Sequence, residues 1–201
     1  PGTPPAAEFS YDARADGAEC DRCPLAADGK PVRTEFGGYI LLVVGEAPGR
    51  EEVRQGKPFV GPSGQEFAET LRRIGRQRSE ISIGNALSCQ VPGKSLQQYL
   101  RRLSRKNRKR IADGQEPLAS PLECCKPRLL AEVERFDSLL LLGKTALAQV
   151  SGHREGDDAL TAQRGFPITL QGRKVMATFH PAFVLRSRRY TGTFRADVAK
   201  A

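Results

Sequence analysis

Tyr39-Ile-Leu-Leu-Val-Val44 runs directly into Gly45-Glu-Ala-Pro-Gly-Arg-Glu-Glu-Val-Arg-Gln-Gly-Lys-Pro-Phe-Val-Gly-Pro-Ser-Gly64. Six mostly branched apolar residues bounded by glycines suit a buried strand, and the Gly/Pro-rich stretch behind them cannot continue any regular element. The chemistry therefore sits in the loop. Glu46, Glu51 and Glu52 alternate there with glycines that let backbone approach a ligand, and Phe59 offers a flat aromatic face.

Working outward, short apolar runs recur at Ile81 to Leu87, Ser138 to Leu142 and Lys174 to Phe179. Helical spacing lies between them: Phe67, Leu71 and Ile74 after Gly64; Leu129, Leu130 and Val133 after Pro127; Ala146, Leu147 and Val150 after Gly143. Alternating strand and helix predicts an α/β fold, a three-layer α/β/α unit with a mainly parallel central sheet. In such sheets ligands bind beyond the carboxyl ends of the strands. Glu46, Asn85, Lys144 and His180 each stand at or just past the end of one apolar run, so the sequence nominates one shared crevice.

A chain of 201 residues, 39% hydrophobic and 27% charged, fits one soluble domain with a core of its own. No apolar run approaches a membrane span, so no membrane partner is expected. Residues 1–18 have neither a basic start nor an apolar stretch; they read as a flexible lead to a domain over 19–201, in a cytoplasmic protein with reduced thiols. No dimer interface is evident, and a monomer is expected.

The net charge of +9 is unevenly placed. Residues 94–116 contribute +6 and residues 186–200 contribute +4, which leaves the rest at −1. Two basic segments on a nearly neutral body suit a polyanion binder, nucleic acid first among candidates; a solvated helix face with a soluble tail gives the same count. The segment at about 94–121 interrupts the strand–helix rhythm. Leu96, Tyr99, Leu100 and Leu103 can form one amphipathic face, and Asp113-Gly-Gln-Glu-Pro117 ends any helix, so the segment reads as a projecting helical insertion.

Five cysteines occur, at 20, 23, 89, 124 and 125. The two-residue gap in Cys20-Asp-Arg-Cys23 lets two thiolates reach one metal centre, and Cys89 with Cys125 could complete a four-thiolate shell. Soft thiolate ligation suits zinc or iron–sulfur alike, and buried unligated cysteines are the alternative. A thioredoxin-like redox pair does not fit, because Cys20 precedes the first strand.

Four pieces, taken in order, resemble the uracil-DNA glycosylase superfamily and most closely its iron–sulfur family 4. They are the Cys20/Cys23 pair, Gly45-Glu-Ala-Pro-Gly49 running to Gly56-Lys-Pro-Phe-Val-Gly61, Asn85-Ala-Leu-Ser-Cys89, and His180-Pro-Ala-Phe-Val-Leu-Arg186. The resemblance spans about residues 20–199. It implies hydrolysis of the N-glycosidic bond of uracil in single- or double-stranded DNA, with the nucleotide turned out of the stack into a pocket.

On that resemblance Phe59 stacks on the base, Asn85 reads its hydrogen-bonding edge, Ala47 lines the same pocket and His180 donates toward uracil O2. Glu46 leads and Glu52 competes as the carboxylate that orients water or stabilises the sugar cation. Arg105, Lys106, Arg108, Lys109 and Arg110 of the insertion, with Arg186, Arg188 and Arg189, are expected on phosphates. The resemblance also implies a structural iron–sulfur cluster, of 4Fe-4S type, on Cys20, Cys23, Cys89 and Cys125; Cys125-Lys-Pro-Arg-Leu129 matches the family's Cys-x-Pro-x-Leu and favours Cys125 over Cys124.

The chain departs from the family pattern in three places. Ala47 stands where the best-known members carry a water-activating aspartate, Val53 stands where an acidic residue is common, and an asparagine is missing after Cys89-Gln-Val-Pro-Gly93. These departures motivate an alternative, a non-catalytic damaged-DNA or abasic-site binder of the same fold. The insertion holds no histidine, so simple turnover is expected over covalent trapping. A nucleotide-binding oxidoreductase is disfavoured by the lack of Gly-x-Gly-x-x-Gly after the first strand. His153, between Gly152 and Arg154, reads as a surface-loop residue.

Overall fold

The computed structural model describes residues 11–27, 29–93, 95–152 and 159–201. Five strands form one sheet in the order β2-β1-β3-β5-β4: β1 (Leu42–Gly45), β2 (Ser82–Asn85), β3 (Ser138–Leu142), β4 (Ile168–Leu170) and β5 (Arg173–Thr178). β2, β1, β3 and β5 run parallel, and only the edge strand β4 is antiparallel.

Alternating side chains fill two cores, because successive strand residues point to opposite faces. Leu42, Val44, Leu139, Leu141, Val175 and Ala177 meet Leu129 and Val133 of α4 (Pro121–Val133) and Ala146, Leu147 and Val150 of α5 (Lys144–Ser151). Val43, Ile83, Leu140, Leu142 and Met176 meet Phe67 and Leu71 of α2 (Pro62–Arg73), Val184 of α7 (Pro181–Arg186), and Phe194 and Val198 of α8 (Thr191–Lys200). This is the expected three-layer α/β/α arrangement. A short α6 (Ala159–Gln163) precedes β4.

The structure differs from the sequence reading in several elements. β1 starts only at Leu42, and Tyr39 and Ile40 are 63% and 72% exposed. The Gly/Pro-rich loop contains a short helix, α1 (Arg50–Gln55), which starts at Gly49, whose N–H donates to the Glu52 side chain, and stops at the left-handed Gly56. α4 starts six residues before Pro127, at Pro121. Ser120 and Glu123 cap it reciprocally, which fixes the first turn and leaves Pro127 inside the helix.

Of the segment expected as a flexible lead, residues 11–18 form a turn. Ala13 and Ala18 are buried, and Glu19 N–H donates to the Cys124 carbonyl at 2.8 Å, so this turn packs onto α4. The remainder of that segment, residues 1–10, lies outside the described residues, as do Lys94 and His153.

The basic insertion is a helix, α3 (Leu96–Ala112), N-capped by Ser95, with a return segment to α4. The return is zipped to the helix: the Asn107 side-chain amide exchanges two 2.8 Å hydrogen bonds with the Leu118 backbone. Only Leu96 and Leu103 of α3 are buried.

Candidate active site

β1, β2, β3 and β5 all end at one rim, and four segments leaving it meet there. The segment after β1 brings Glu46, Ala47, α1 and Phe59; β2 ends in Asn85; β3 leads into α5; β5 leads to His180. Glu46, Ala47, Glu52, Phe59, Asn85, His180 and Arg186 line a single cavity of about 730 Å³, with Ser63, Ser95 and Phe183 on its wall. That volume suits a small-ligand site.

Close packing at Gly45 sets the floor. A Cβ there would lie 2.5 Å from both Asn85 Oδ1 and the Phe59 ring, so only glycine lets the two side chains converge. Phe59 itself has φ 51°, a left-handed conformation that costs a bulky residue about 1–3 kcal/mol. Two features hold it there. Gly64 of α2 lies so close that a Cβ would collide with the Phe59 carbonyl. The Arg78 guanidinium, paired with Glu35 at 2.6 Å, donates to the carbonyls of Pro58 (2.5 Å) and Phe59 (3.0 Å). The Phe59 and His180 rings stand 5.9 Å apart, centroid to centroid.

His180 caps α7. Its Nδ1 accepts the Ala182 N–H at 3.2 Å, so the neutral ring carries its proton on Nε2. Burial, with help from the Arg186 charge, lowers its pKa to about 4, and the imidazole is neutral near pH 7. The site thus holds a neutral N–H donor.

The two candidate carboxylates have different surroundings. Glu46 is partly buried, and its Oε2 accepts the Thr145 hydroxyl at 2.7 Å in the first turn of α5, where the helix dipole favours an anion. Its Oε1 has no hydrogen-bond partner among the described residues. Glu52 is only 8% exposed, and both of its oxygens are taken by backbone: Oε2 accepts Gly49 N–H (3.0 Å), and Oε1 accepts Val60 N–H (3.0 Å) and Gly61 N–H (2.7 Å). Glu52, expected to compete with Glu46 for the reacting water, lines the cavity but gives three acceptor positions to backbone N–H groups that close the loop. The glycines at 49 and 61 bring backbone to Glu52 and also line the cavity. Glu51 is half-buried and paired with Arg54, which lowers its pKa.

Lys144, nominated at the end of β3, is exposed; its neighbour Thr145 reaches the site instead. Arg188 is held by the buried Glu66 at 2.6 Å, and Arg110 donates to the Glu116 carbonyl at 2.8 Å, so neither is an unengaged phosphate ligand. Arg105, Lys106, Arg108 and Lys109 are exposed, joined by Arg101 and Arg102, which the sequence reading did not single out. Arg101, Arg105 and Arg108 follow i, i+4, i+7 spacing and form one stripe. Arg189 is exposed beside Tyr190.

Beside the cavity a third, smaller core joins Leu25, Leu87, Cys89, Leu96, Leu122 and Cys125, with Cys23, Ala47, Tyr99 and Leu100 packed against it. Cys20 and Cys23 flank a 3₁₀ turn pinned to α4, Cys89 follows β2, and Cys124 and Cys125 lie in α4. All five are free thiols. Burial pushes Cys23 up to about 11 and Cys89 up to about 12, and neighbouring cysteines push the same way. Cys125 acts on Cys20, Cys23 and Cys89 together, whereas Cys124 interacts with Cys23 and Arg22. A cavity of about 290 Å³ opens beside Cys20, Cys89 and Gly29. Among the described residues no three His, Cys, Asp or Glu side chains form a group that could hold a metal ion as they stand.

The uracil DNA glycosylase superfamily model matches residues 39–200, which carry every wall of the larger cavity. The chain belongs to the uracil DNA glycosylase superfamily. It is 33% identical over 176 residues to the type-4 uracil-DNA glycosylase of Thermotoga maritima, covering 85% of this chain and 80% of that protein. It is 30% identical over 190 residues to the type-4 enzyme of Pyrobaculum aerophilum, covering 90% and 86%. The type-4 enzyme of Archaeoglobus fulgidus is 28% identical over 171 residues. Among the described residues no helix is long and apolar enough to cross a membrane.

Proposed function

We propose that this chain is a DNA repair glycosylase that hydrolyses the N-glycosidic bond of uracil in DNA, releasing uracil and leaving an abasic site. Superfamily membership and relatives named as uracil-DNA glycosylases support the activity over the binder alternative. The observation that carries the site assignment is the convergence of Phe59, Asn85 and His180 on one cavity, with the His180 Nε2–H unpartnered among the described residues.

An everted uracil stacks on Phe59, and the Asn85 amide, both donor and acceptor, pairs with uracil N3–H and O4, a pattern that cytosine opposes. As the bond from C1′ to N1 breaks, its electron pair moves onto the base and negative charge gathers at O2. The neutral His180 donates there, a kind of contribution commonly worth on the order of 100- to 1,000-fold in rate. Glu46, held by Thr145, faces the sugar with its Oε1, where it stabilises positive charge and orients the water that adds to C1′. The water that adds to C1′ gives up its second proton to solvent and the departing uracil anion takes one up, so one water is consumed with no net change in protons.

Cys20, Cys23, Cys89 and Cys125 would hold a 4Fe-4S cluster: Cys23, Cys89 and Cys125 meet at one small core, and Cys20 and Cys89 line the cavity that adjoins it. Each of the four thiolates would take one iron of the cluster. When bound it supplies a structural cross-link between the N-terminal turn, the segment after β2 and α4. The root of α3 packs on the same core, so the basic stripe is anchored beside the pocket. α3 spans about 25 Å at 1.5 Å per residue over 17 residues, enough to track several phosphates along DNA. Reduced thiols suit the cytoplasm.

Single-turnover excision from uracil-containing single- and double-stranded oligonucleotides tests the proposal. Wild type releases uracil and leaves alkali-labile sites; Asn85→Ala cuts excision to a slow but measurable rate while retaining DNA binding. DNA binding with no uracil release by wild type would favour the binder, and equal loss of both by Asn85→Ala would remove Asn85 as the base reader.

A further inference from the structure

Arg128 is the largest fully buried side chain described, at 1% exposure, and it belongs to no step above. One face of its guanidinium grips the end of β2: Nη2 donates to the carbonyls of Asn85 (2.7 Å) and Ala86 (3.0 Å). On the other side Nη1 donates to Glu132 Oε1 (2.9 Å), and Glu132 Oε2 accepts the Thr34 hydroxyl (2.7 Å). β2 is an edge strand, so these carbonyls have no further strand to pair with. The planar fork reaches the carboxylate from one nitrogen and the two carbonyls from another, a spread that the single nitrogen of a lysine lacks. Arg128 also lies three residues after Cys125 on the same helix.

We infer that Arg128 is a positioning residue for base recognition: it fixes the backbone of Asn85, and so the direction of its amide, against the cysteine-bearing helix α4. The inference rests on the reading of Asn85 as the uracil reader. Asn85 and Phe59 approach each other too closely over Gly45 for a tilt of the Asn85 peptide to pass unnoticed. Misplacement of a reacting or reading group by about 1 Å commonly costs on the order of 100-fold in rate. Arg128→Lys keeps the charge opposite Glu132 and gives up the fork.

The test is a double-variant cycle on single-turnover excision, with hydrogen–deuterium exchange as a readout that needs no catalysis. Arg128→Lys slows excision roughly 10- to 100-fold. In an Asn85→Ala background it slows it no further, and in a Phe59→Ala background the loss persists. A purely structural role predicts the same loss in all three backgrounds. Exchange at the amides of Ala86 and Leu87, which bond to Gly45 and Glu46, rises in Arg128→Lys while β3 stays protected. Wild-type excision rate in a folded Arg128→Lys protein, or full loss in the Asn85→Ala background, overturns the inference. If wild type excises nothing yet exchange rises at Ala86 and Leu87 alone, the clamp stands and the glycosylase reading falls. Should Arg128→Lys not fold, Thr34→Val, which removes one support of Glu132 and leaves Arg128 in place, is read by the same cycle with the same two outcomes.

Discussion

Replacing Glu52 with glutamine separates a structural carboxylate from a chemical one. Its two oxygens accept three backbone N–H groups at 2.7–3.0 Å, one from the start of α1 and two from the far side of the loop. In Glu52→Gln the amide oxygen can keep Val60 and Gly61, but the new NH₂ group then faces the Gly49 N–H, donor against donor. A hydrogen bond to a charged group contributes about 1.5–3 kcal/mol, and the two that remain are weakened to neutral strength. The expected loss is about 2–4 kcal/mol, which at this chain length lowers the unfolding midpoint by roughly 5–15 °C. The assay pairs thermal unfolding by circular dichroism with single-turnover excision well below the midpoint. Per folded molecule, excision falls no more than about tenfold, or about 1.4 kcal/mol of barrier, because Arg78 still braces Phe59. An unchanged midpoint with a loss on the order of 100- to 10,000-fold, the signature of a missing acid–base group, would refute the reasoning and return Glu52 to the chemistry.

The His180 ring, neutral in the fold down to about pH 4, meets an unfolded chain whose histidines protonate near 6.5. The unfolded state therefore binds the proton first, and this contribution to stability, complete above about pH 6.5, is lost as pH falls toward about 4. Urea midpoints across that range should drop more for wild type than for His180→Gln; equal drops would contradict the neutral assignment. Changing Arg101, Arg105 and Arg108 together to glutamine should flatten the slope of log affinity against log salt for duplex DNA by about 0.9 per lost contact, leaving excision at saturation unchanged; an unaltered slope would remove the stripe from the interface. Cys125→Ser should lose iron and the broad visible absorbance on purification under exclusion of air, and Cys124→Ser should keep both; the reverse result would exchange their roles.

Much of this architecture was legible because its signals are local. Ser138–Leu142 is a strand by its apolar run alone, and Glu46, Asn85 and His180 reach one rim because parallel strands place their carboxyl ends together. Local signals also misled. Tyr39 and Ile40 extend an apolar run that the sheet does not use, and Pro127 mimics a helix start because the true start, the Ser120/Glu123 box, lies six residues earlier. β4 is three residues long and pairs only at an edge, too little for a period to show. What could not be read at all are contacts between distant segments. Thr145 reaches Glu46 across 99 positions and Arg128 reaches Asn85 across 43, with no pattern joining them. Glu52 shows the finer limit: its position suggested chemistry, and only the geometry of three N–H groups reveals that both oxygens are occupied.

A crystal structure of the protein soaked with free uracil tests the central claim most directly. The account predicts the base against the Phe59 ring, the Asn85 amide at hydrogen-bond distance of about 3 Å from O4 and N3, and His180 Nε2 equally close to O2. Uracil bound elsewhere, or held in this cavity with neither Asn85 nor His180 touching it, would contradict it.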